Sequence, residues 1–328
     1  MKAVFATQTG SPDVLKLLET AKPSIASHQV LIQVHAISVN FADIKARQGQ
    51  YHGVTADKAF IPGLDCAGEV VEVGSDVSRF RKGQRVMAFP SGGSYAEYVA
   101  ADENLTFPVP DGLDLETAAA SLTVGITSYN VINKMARLSE GETILIHAAA
   151  GGIGSTVIQL AKLAGASKII GTTSSEEKAK IALDFGADHI INYKERDFVE
   201  EVKALTDGKG VDVILDTIAG ENFNNSLKCL APFGRIITFG HANQGSLPGT
   251  VQTTDLHSSC RSVIGYSTGT YRNHRPEFLE EGATKVTELI QTGKLKIHIS
   301  KRFPLEQAAK AHELLESRRS TGKVMLIP

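Results

Sequence analysis

The sequence predicts an α/β protein in which a doubly wound α/β domain is inserted into a β-rich domain. Up to about residue 122, short apolar runs are separated by turn residues roughly every 8 to 12 positions, as in antiparallel β-structure. From there, β-branched runs such as TILIH (143–147) and RIITF (235–239) alternate with helical segments and lack a polar face, which is typical of parallel strands covered on both sides. After about residue 262 this alternation stops. We therefore predict three segments, 1–122, 123–262 and 263–328.

The first segment is predicted to be mainly antiparallel. Its strands are expected at 30–34, 66–73 and 85–89, between turn sequences at 62–63, 74–76 and 91–93. The second segment supplies the parallel sheet. Its predicted strands are 143–147, 168–172, 211–215 and 235–239, and its predicted helices are 155–164, 176–185 and 221–230.

The last segment is predicted to hold one helix, 305–317, and strands at 263–266, 296–300 and 323–327. So few elements cannot easily form a core of their own. We expect them to return to the first segment and complete its domain.

Composition excludes several classes of protein. The chain has 328 residues, of which 42% are hydrophobic and 21% charged, and its formal charge is −2, so it carries no basic field for nucleic acid or a membrane surface. Its apolar stretches fall far short of the roughly 18 residues of a membrane span, and its three cysteines form no CxxC pair. We predict a cytoplasmic protein with no nucleic-acid or membrane partner.

A glycine-rich turn indicates a dinucleotide site. The sequence HAAAGGIG (147–154) follows a predicted strand and opens a predicted helix, the context that a G-x-G-x-x-G motif requires, although Ala149 replaces its first glycine. Gly151 allows a pyrophosphate to approach the backbone, and Gly154 allows the helix to pack on the strand. The predicted contacts of this turn are Ala150, Gly151, Gly152 and Ile153.

The end of the next strand favours NADPH over NADH. An acidic residue about 20 positions after the turn binds the ribose 2′-hydroxyl of NAD, whereas here the strand ends in Gly171, Thr172, Thr173 and Ser174, and Lys178 follows one turn later. These hydroxyls and the lysine suit a 2′-phosphate. Glu176 and Glu177 add negative charge, but they face a helix N-terminus. Tyr193, after the third strand, is a candidate contact of the adenosine end or an ordinary packed residue.

The whole chain resembles the zinc-free medium-chain dehydrogenase/reductases, and specifically the zeta-crystallin-like NADPH:quinone oxidoreductases. The resemblance is carried by NFAD (40–43), PGLDCAG (62–68), GSYAEY (93–98), AAAGGIG (148–154), Asp216-Thr217, Phe239-Gly240, and ESR (316–318) followed by TGK (321–323). It implies a GroES-like catalytic domain with an inserted Rossmann domain.

The same resemblance implies the site residues. Asn40 would orient the nicotinamide ribose or the substrate, and Tyr51 would bond the carbonyl oxygen of the acceptor. Further cofactor contacts would be Thr123, Thr127, Phe239, Gly240, His241, Tyr266 and Lys323. Members with catalytic zinc carry Cys at the place of Asn40 and a His-Glu pair at the place of Leu64-Asp65, so no metal is expected. Lys45 stands where similar enzymes often have a tyrosine, and it is either a site residue or a solvated charge.

The absence of a metal ligand set limits the acceptors to which hydride could be transferred. Hydride addition to a simple ketone gives an alkoxide whose conjugate acid has a pKa of about 16, whereas a quinone or enone disperses the charge into a phenolate or enolate with a pKa of about 10. This difference is worth about 8 kcal/mol, so a few neutral donors can stabilise the anion. We predict an NADPH-dependent reductase of a small electrophilic acceptor, a quinone or an α,β-unsaturated carbonyl.

The sequence is also compatible with two other functions and with a homodimer. An NADPH-binding protein with little turnover and a structural or partner-binding role would keep the same cofactor turn. The sequence GYSTG (265–269) matches the G-x-S-x-G pattern of hydrolases, but the pattern requires a following helix, and 270–276 is predicted to be a turn. The strand VIGY (263–266) is also a candidate for extending the nucleotide sheet across a two-fold axis, which would give a homodimer.

Overall fold

A computed structural model of the protein describes residues 1–50, 58–242 and 247–328. The chain divides into two compact units. Unit 1 comprises Met1–Ile126 and Tyr271–Pro328, and unit 2 comprises Thr127–Thr270. The expected limits of the inserted domain, 123 and 262, therefore differ from those of unit 2. The strand at 262–265 pairs within the sheet of unit 2, which moves the second limit towards the C-terminus.

The strands are numbered in chain order. They are β1 (Lys2–Ala6), β2 (Leu15–Glu19), β3 (Gln29–Val39), β4 (Asp65–Val73), β5 (Arg85–Ala88), β6 (Tyr98–Asp102), β7 (Thr106–Pro108), β8 (Thr143–Ile146), β9 (Lys168–Thr173), β10 (His189–Asn192), β11 (Val211–Asp216), β12 (Leu230–Thr238), β13 (Ser262–Gly265), β14 (Ile299–Pro304) and β15 (Lys323–Ile327).

The α-helices are α1 (Phe41–Arg47), α2 (Leu115–Tyr129), α3 (Gly152–Leu163), α4 (Glu176–Asp184), α5 (Phe198–Leu205), α6 (Glu221–Lys228), α7 (Thr253–Ser259), α8 (Thr268–His274), α9 (Glu277–Gln291) and α10 (Ala308–Glu316). Short 3-10 turns lie at Pro12–Val14, Glu103–Leu105 and Leu305–Gln307, and a π-helical segment, Asn130–Ala136, follows α2.

Unit 1 is built on a mainly antiparallel sheet with the order β14-β15-β3-β4-β5-β7, and β6 also pairs with β3. Strand β3 is long because it pairs with β15, β4 and β6 along its length. The C-terminal strand β15 lies directly beside β3, with Val324 opposite Val39. This pairing brings the end of β3, which is followed by Asn40, close to Lys323 at the start of β15.

Unit 2 contains a parallel sheet with the order β10-β9-β8-β11-β12-β13. Its central strands are almost fully buried, as expected from their unbroken apolar sequences. The order reverses between β8 and β11, and ligands of such sheets bind outside the carboxyl ends of the strands at this switch point. The Rossmann-type α/β arrangement predicted for this segment is confirmed.

The C-terminal segment corrects several predictions. The strand expected at 263–266 does not return to the first domain, because it pairs with β12. The strand expected at 296–300 is observed at 299–304, as β14. Helix α9 was not predicted, because its apolar positions are interspersed with many polar residues. The segment 270–276, predicted to be a turn, mostly belongs to α8.

Among the described residues, no helix combines the length and the apolar character that crossing a bilayer would demand.

Candidate active site

The predicted cofactor residues of unit 2 are brought to one edge of its sheet. The turn 150–153 follows β8, Thr172 and Thr173 end β9, Tyr193 follows β10, and 239–241 follows β12. Tyr266 comes directly after β13. Because the carboxyl ends of parallel strands meet at one edge, these residues share the edge at which ligands of such sheets bind.

The glycine turn is shaped by close backbone packing. A methyl group on Gly154 would lie 2.4 Å from the carbonyl oxygen of Ala148, and one on Gly171 would lie 2.6 Å from the methyl group of Ala149. A methyl group on Gly151 would meet only the Ala148 oxygen, at 3.2 Å. Gly154 and Gly171 are thus needed for packing, whereas Gly151 is less constrained, since a methyl group there would require the Ala148 oxygen to move by only a few tenths of an ångström. Gly151 is also the N-cap of the 12-residue helix α3, whose N-terminus favours an anion.

His147 lies beneath this edge and connects three elements. Its Nδ1 is 3.0 Å from Thr172 Oγ1, and its Nε2 is 2.9 Å from Ser226 Oγ. The Ser226 hydroxyl donates its proton to the carbonyl oxygen of Asn222, so Nε2 of His147 must be the donor and Nδ1 the acceptor. Burial lowers the pKa of His147 to about 4, against an opposing effect of the Asp216 carboxylate. The ring is therefore neutral near pH 7.

The protonation of His147 decides which hydroxyl groups at the end of β9 still have a proton to donate to a ligand. The Thr172 hydroxyl donates to His147, and the Thr173 hydroxyl donates to the carbonyl oxygen of Ser175 at 3.3 Å. Neither proton remains for an anion. The hydroxyl of Ser175 accepts from the backbone N–H of Lys178 at 3.4 Å and so keeps its own proton. Ser174, Ser175 and Lys178, all half-buried, are the groups suited to a phosphate, and Ser175 was not among the predicted residues.

A second polar cluster in unit 2 surrounds Tyr266. The Tyr266 hydroxyl accepts from Asn130 Nδ2 at 3.1 Å and from Thr268 Oγ1 at 3.2 Å. Thr268 Oγ1 also lies 2.8 Å from Thr127 Oγ1. Thr127 and Tyr266 were predicted as separate contacts, and they are joined through Thr268.

The remaining predicted residues of unit 2 differ in exposure. The side chain of Phe239 is half-buried, whereas Gly240 and His241 are exposed. A methyl group on Gly240 would lie 2.4 Å from Thr217 Oγ1, so this position also depends on close packing. The ring of Tyr193 is 45% exposed, so it is available to a ligand rather than packed in the core.

In unit 1, Asn40 and Lys323 belong to a buried polar cluster. Asn40 caps α1, and Lys323 is the first residue of β15. Lys323 Nζ donates to Asn40 Oδ1 at 2.8 Å, and Asn40 Nδ2 donates to Asp65 Oδ1 at 2.7 Å. The other oxygen of Asp65 accepts from the backbone N–H of Thr123 at 2.9 Å. Three of the predicted residues, Asn40, Thr123 and Lys323, therefore meet around a carboxylate that was not predicted.

A second carboxyl group adjoins this cluster. Asp43 Oδ2 accepts from the backbone N–H of Asn40 at 2.9 Å and from the Tyr95 hydroxyl at 3.1 Å, and Tyr95 lies 2.9 Å from His312 Nε2. Burial, together with the nearby Asp65 charge, raises the pKa of Asp43 to about 7. Burial lowers the pKa of Lys323, opposed by the two carboxyl groups. Asp43 and Asp65 occur in the motifs NFAD and PGLDCAG, but sequence alone gave no reason to place them together.

The two remaining predicted positions of the N-terminal segment are Tyr51 and Lys45. Tyr51 lies outside the described residues. The ammonium of Lys45 is 6.0 Å from the centre of the Phe41 ring, and partial burial lowers its pKa.

No group of three or more His, Cys, Asp or Glu side chains within 1–50, 58–242 and 247–328 is arranged to hold a metal ion.

The G-x-S-x-G sequence has the strand and helix that its pattern requires, since β13 precedes Ser267 and α8 begins at Thr268. The prediction of a turn at 270–276, on which the hydrolase pattern was set aside, is therefore wrong. The contacts of Ser267 nevertheless argue against a nucleophile. It is exposed, and its hydroxyl accepts a hydrogen bond from the backbone N–H of Thr270 at 3.2 Å, which is a helix-capping role.

Known proteins match the chain along its whole length. Residues 26–111 match the model of the alcohol dehydrogenase GroES-like domain, and residues 152–284 match that of the zinc-binding dehydrogenases. The quinone oxidoreductase of Rattus norvegicus is 37% identical over 330 residues, which is 100% of this chain and 98% of the relative. The chain belongs to the quinone oxidoreductase family of the medium-chain dehydrogenase/reductases.

Solved structures of the family agree with this assignment. Escherichia coli quinone oxidoreductase complexed with NADPH has a TM-score of 0.92 and 32% identity, with 100% of both chains covered. A 2-haloacrylate reductase has a TM-score of 0.86 and 32% identity, covering 100% of this chain and 99% of the other. The predicted fold, a GroES-like domain with an inserted Rossmann domain, is confirmed.

Proposed function

We propose that the protein is an NADPH-dependent oxidoreductase that transfers hydride to a quinone or an α,β-unsaturated carbonyl without a metal. The observation that carries the proposal is the carboxyl edge of the parallel sheet. There, a glycine turn open to a pyrophosphate lies beside a strand end that offers hydroxyl groups and a lysine instead of a carboxylate. The similar structures include one complexed with NADPH and one named for the reduction of a conjugated acid.

The cofactor is assigned to this edge by charge and hydrogen bonding. The pyrophosphate binds at residues 150–153 and the N-terminus of α3, and the 2′-phosphate binds at Ser174, Ser175 and Lys178. Thr172 and Thr173, whose protons are committed, act as acceptors or support the strand end. When bound, NADPH supplies the hydride, and the chain binds and orients it. Phe239, Gly240, His241 and Tyr266 are proposed to contact its nicotinamide half.

The acceptor requires little from the protein beyond orientation and neutral donors. A quinone or enone disperses the incoming electron pair, which lowers the basicity of the resulting anion by about six pKa units relative to an alkoxide. Tyr51 is proposed as the donor to the acceptor oxygen. No nucleophile is needed, which agrees with the capping role of Ser267.

Metal independence is supported by the polar cluster of unit 1. Asn40 and Asp65 occupy the positions at which zinc-dependent members are expected to have ligands. Here Asn40 donates to Asp65 and accepts from the Lys323 ammonium. A buried cation at this point opposes the binding of a divalent ion. The amide of Asn40 is also a weaker ligand for zinc than a thiolate.

The test is a panel of acceptors assayed by NADPH oxidation. Conjugated and saturated members should be matched, for example a 2-alkenal and the alkanal of the same carbon skeleton, with NADH in parallel. We expect turnover of conjugated members only, preference for NADPH, and no loss after dialysis against a chelator. Activity that disappears on chelation, or that favours simple alcohols, would refute the proposal. Tight NADPH binding without turnover of any acceptor would instead favour a binding protein.

The homodimer is proposed on the geometry of β13. This strand ends the order of the parallel sheet, and its Val263 and Ile264 are only partly buried in the isolated chain. Pairing with a second copy would satisfy this edge. Light scattering of the wild type and of Ile264→Lys should give a dimer and a monomer, respectively; a wild-type monomer would contradict the proposal.

A further inference from the structure

The hydroxyl of Tyr95 lies between an acid and a base in the core of unit 1. It is 3.1 Å from Asp43 Oδ2 and 2.9 Å from His312 Nε2, and all three side chains are buried. Asp43 belongs to α1 and His312 to α10. A single hydrogen-bonded chain of three titratable groups therefore links the two helices within one unit.

A second contact joins the same helices one turn further along. Arg47 follows Asp43 by four residues in α1, and Glu316 follows His312 by four residues in α10. The Arg47 guanidinium pairs with the Glu316 carboxylate, which also accepts from Gln48 Nε2 at 2.7 Å. This ion pair holds the helices together independently of the protons in the Asp43–Tyr95–His312 chain.

Two members of the chain carry one proton each near pH 7. Burial, reinforced by the positive charge of Arg47, lowers the pKa of His312 to about 3, so its ring is neutral and has one N–H and one lone pair. Burial, together with the neighbouring Asp43 carboxylate, raises the pKa of Tyr95, so the phenol keeps its proton. Each of these two groups can therefore donate in one direction only.

The charge of Asp43 then decides the direction of both bonds. An ionised Asp43 has no proton, so Tyr95 donates to it and His312 donates to Tyr95 through Nε2. A neutral Asp43 with its proton on Oδ2 donates to Tyr95, which in turn donates to Nε2, and the ring proton of His312 lies on Nδ1. Oδ1 is the poorer place for the proton of Asp43, because this buried atom has no acceptor among the described residues.

Asp43 is balanced between the two states by the groups that face it. Burial raises its pKa, the backbone N–H of Asn40 lowers it, the Asp65 carboxylate of β4 raises it and the Lys323 ammonium of β15 lowers it, which leaves a pKa of about 7. Both states are thus populated near neutral pH. The carboxylate accepts from the first turn of α1, at the N-terminus where a negative charge is stabilising, so proton uptake also weakens the start of this helix.

We propose that Asp43, Tyr95 and His312 form a buried two-state proton relay, a pH-sensitive switch between α1 and α10. When one proton from the solvent reaches Nδ1 of His312, the Nε2 proton passes to the Tyr95 oxygen and the phenolic proton passes to Oδ2 of Asp43. One proton is taken up, no heavy atom has to move, and His312 changes tautomer without becoming cationic. The relay lies wholly in unit 1 and does not depend on the acceptor that the enzyme reduces.

The test is NMR of the full-length protein labelled with ¹⁵N in histidine and ¹³C in aspartate. Two-bond ¹H–¹⁵N spectra distinguish the two neutral tautomers from each other and from the cation, and His312 is identified by its contacts with the Tyr95 ring, whose centre lies 5.7 Å away. We expect His312 to carry its proton on Nε2 at high pH and on Nδ1 at low pH. The midpoint should coincide with that of the Asp43 carboxyl carbon, near pH 7. A tautomer that stays constant while Asp43 titrates, or a ring that becomes cationic with Asp43, would overturn the proposal.

A conservative variant tests the role of the hydroxyl. Tyr95→Phe keeps the ring and removes the proton path, so His312 should keep one tautomer at every pH. Tyr98→Phe, at a half-buried tyrosine of β6, is the matched control and should titrate like the wild type. A tautomer change that persists in Tyr95→Phe would overturn the proposal. If Tyr95→Phe does not fold, the comparison of the two midpoints in the wild type still decides.

Discussion

The neutral, buried state of His147 makes the stability of unit 2 depend on pH. In the folded protein the pKa of this ring is about 4, because burial disfavours the charged form, whereas in the unfolded chain it is near 6.5. The contribution of the neutral ring is fully present above pH 6.5. It is lost as the pH falls from 6.5 to 4, because the unfolded state binds the proton first. A difference of about 2.5 pKa units corresponds to about 3 kcal/mol.

His147→Asn isolates this contribution. We expect the variant to be less stable than the wild type at pH 7.5, since two side-chain hydrogen bonds are lost or weakened. The difference should shrink by about 3 kcal/mol as the pH approaches 4, because only the wild type carries the titrating ring.

The assay is urea denaturation at several pH values, with hydrogen exchange of peptides from 143–173 reporting on unit 2 separately. His257→Asn, at an exposed position of α7, is the control for replacing a histidine away from the buried hydrogen bonds of His147. A stability gap for His147→Asn that is independent of pH would show that the fold does not hold the ring of His147 in its neutral form.

Three further predictions concern the two sites. Gly154→Ala should destabilise unit 2 by about 1–3 kcal/mol in thermal or urea melts, because its methyl group meets a carbonyl oxygen; Gly151→Ala should melt like the wild type yet bind NADPH more weakly, and equal effects on stability would argue against these separate roles. Ser175→Ala should reduce the preference for NADPH over NADH about tenfold in steady-state kinetics; an unchanged ratio would remove Ser175 from the phosphate site. The pKa of Asp43, raised by burial, makes the folded protein less stable as the pH rises from about 4 to 7. Asp43→Asn should therefore gain stability relative to the wild type over that range in urea melts, and a loss would contradict the assignment.

The local patterns predicted the elements of unit 2 well. Strands β8, β9 and β11 were expected within one or two residues of their ends, because each is a continuous apolar run bounded by polar residues. In unit 1, β15 was predicted with the limits that the structure has. For β13 the sequence left two placements open, a return to the first domain and an extension of the nucleotide sheet, since a short apolar strand does not determine which sheet it joins. Helix α8 was missed because its sequence TGTYRNH lacks an apolar stripe.

The sites were predicted unevenly for a similar reason. The glycine turn could be read from local spacing, because its function depends on consecutive residues. The polar cluster of unit 1 joins positions 40, 65 and 323, which come together only through the pairing of β15, β3 and β4. The pairing explains why Asp65 was overlooked. It also explains why the sequence left open whether Asn40 contacts the nicotinamide ribose or the substrate, since the partners of its side chain are brought together only by the fold.

In the proposed reaction, hydride passes from NADPH to an acceptor that itself disperses the negative charge. The most direct measurement uses NADPH deuterated at C4 of the nicotinamide and an α,β-unsaturated ketone, with the product analysed by NMR. We predict a saturated ketone that carries deuterium on its β-carbon. An allylic alcohol with deuterium on the former carbonyl carbon would contradict the proposed reaction, because that product requires an alkoxide and a group able to stabilise it.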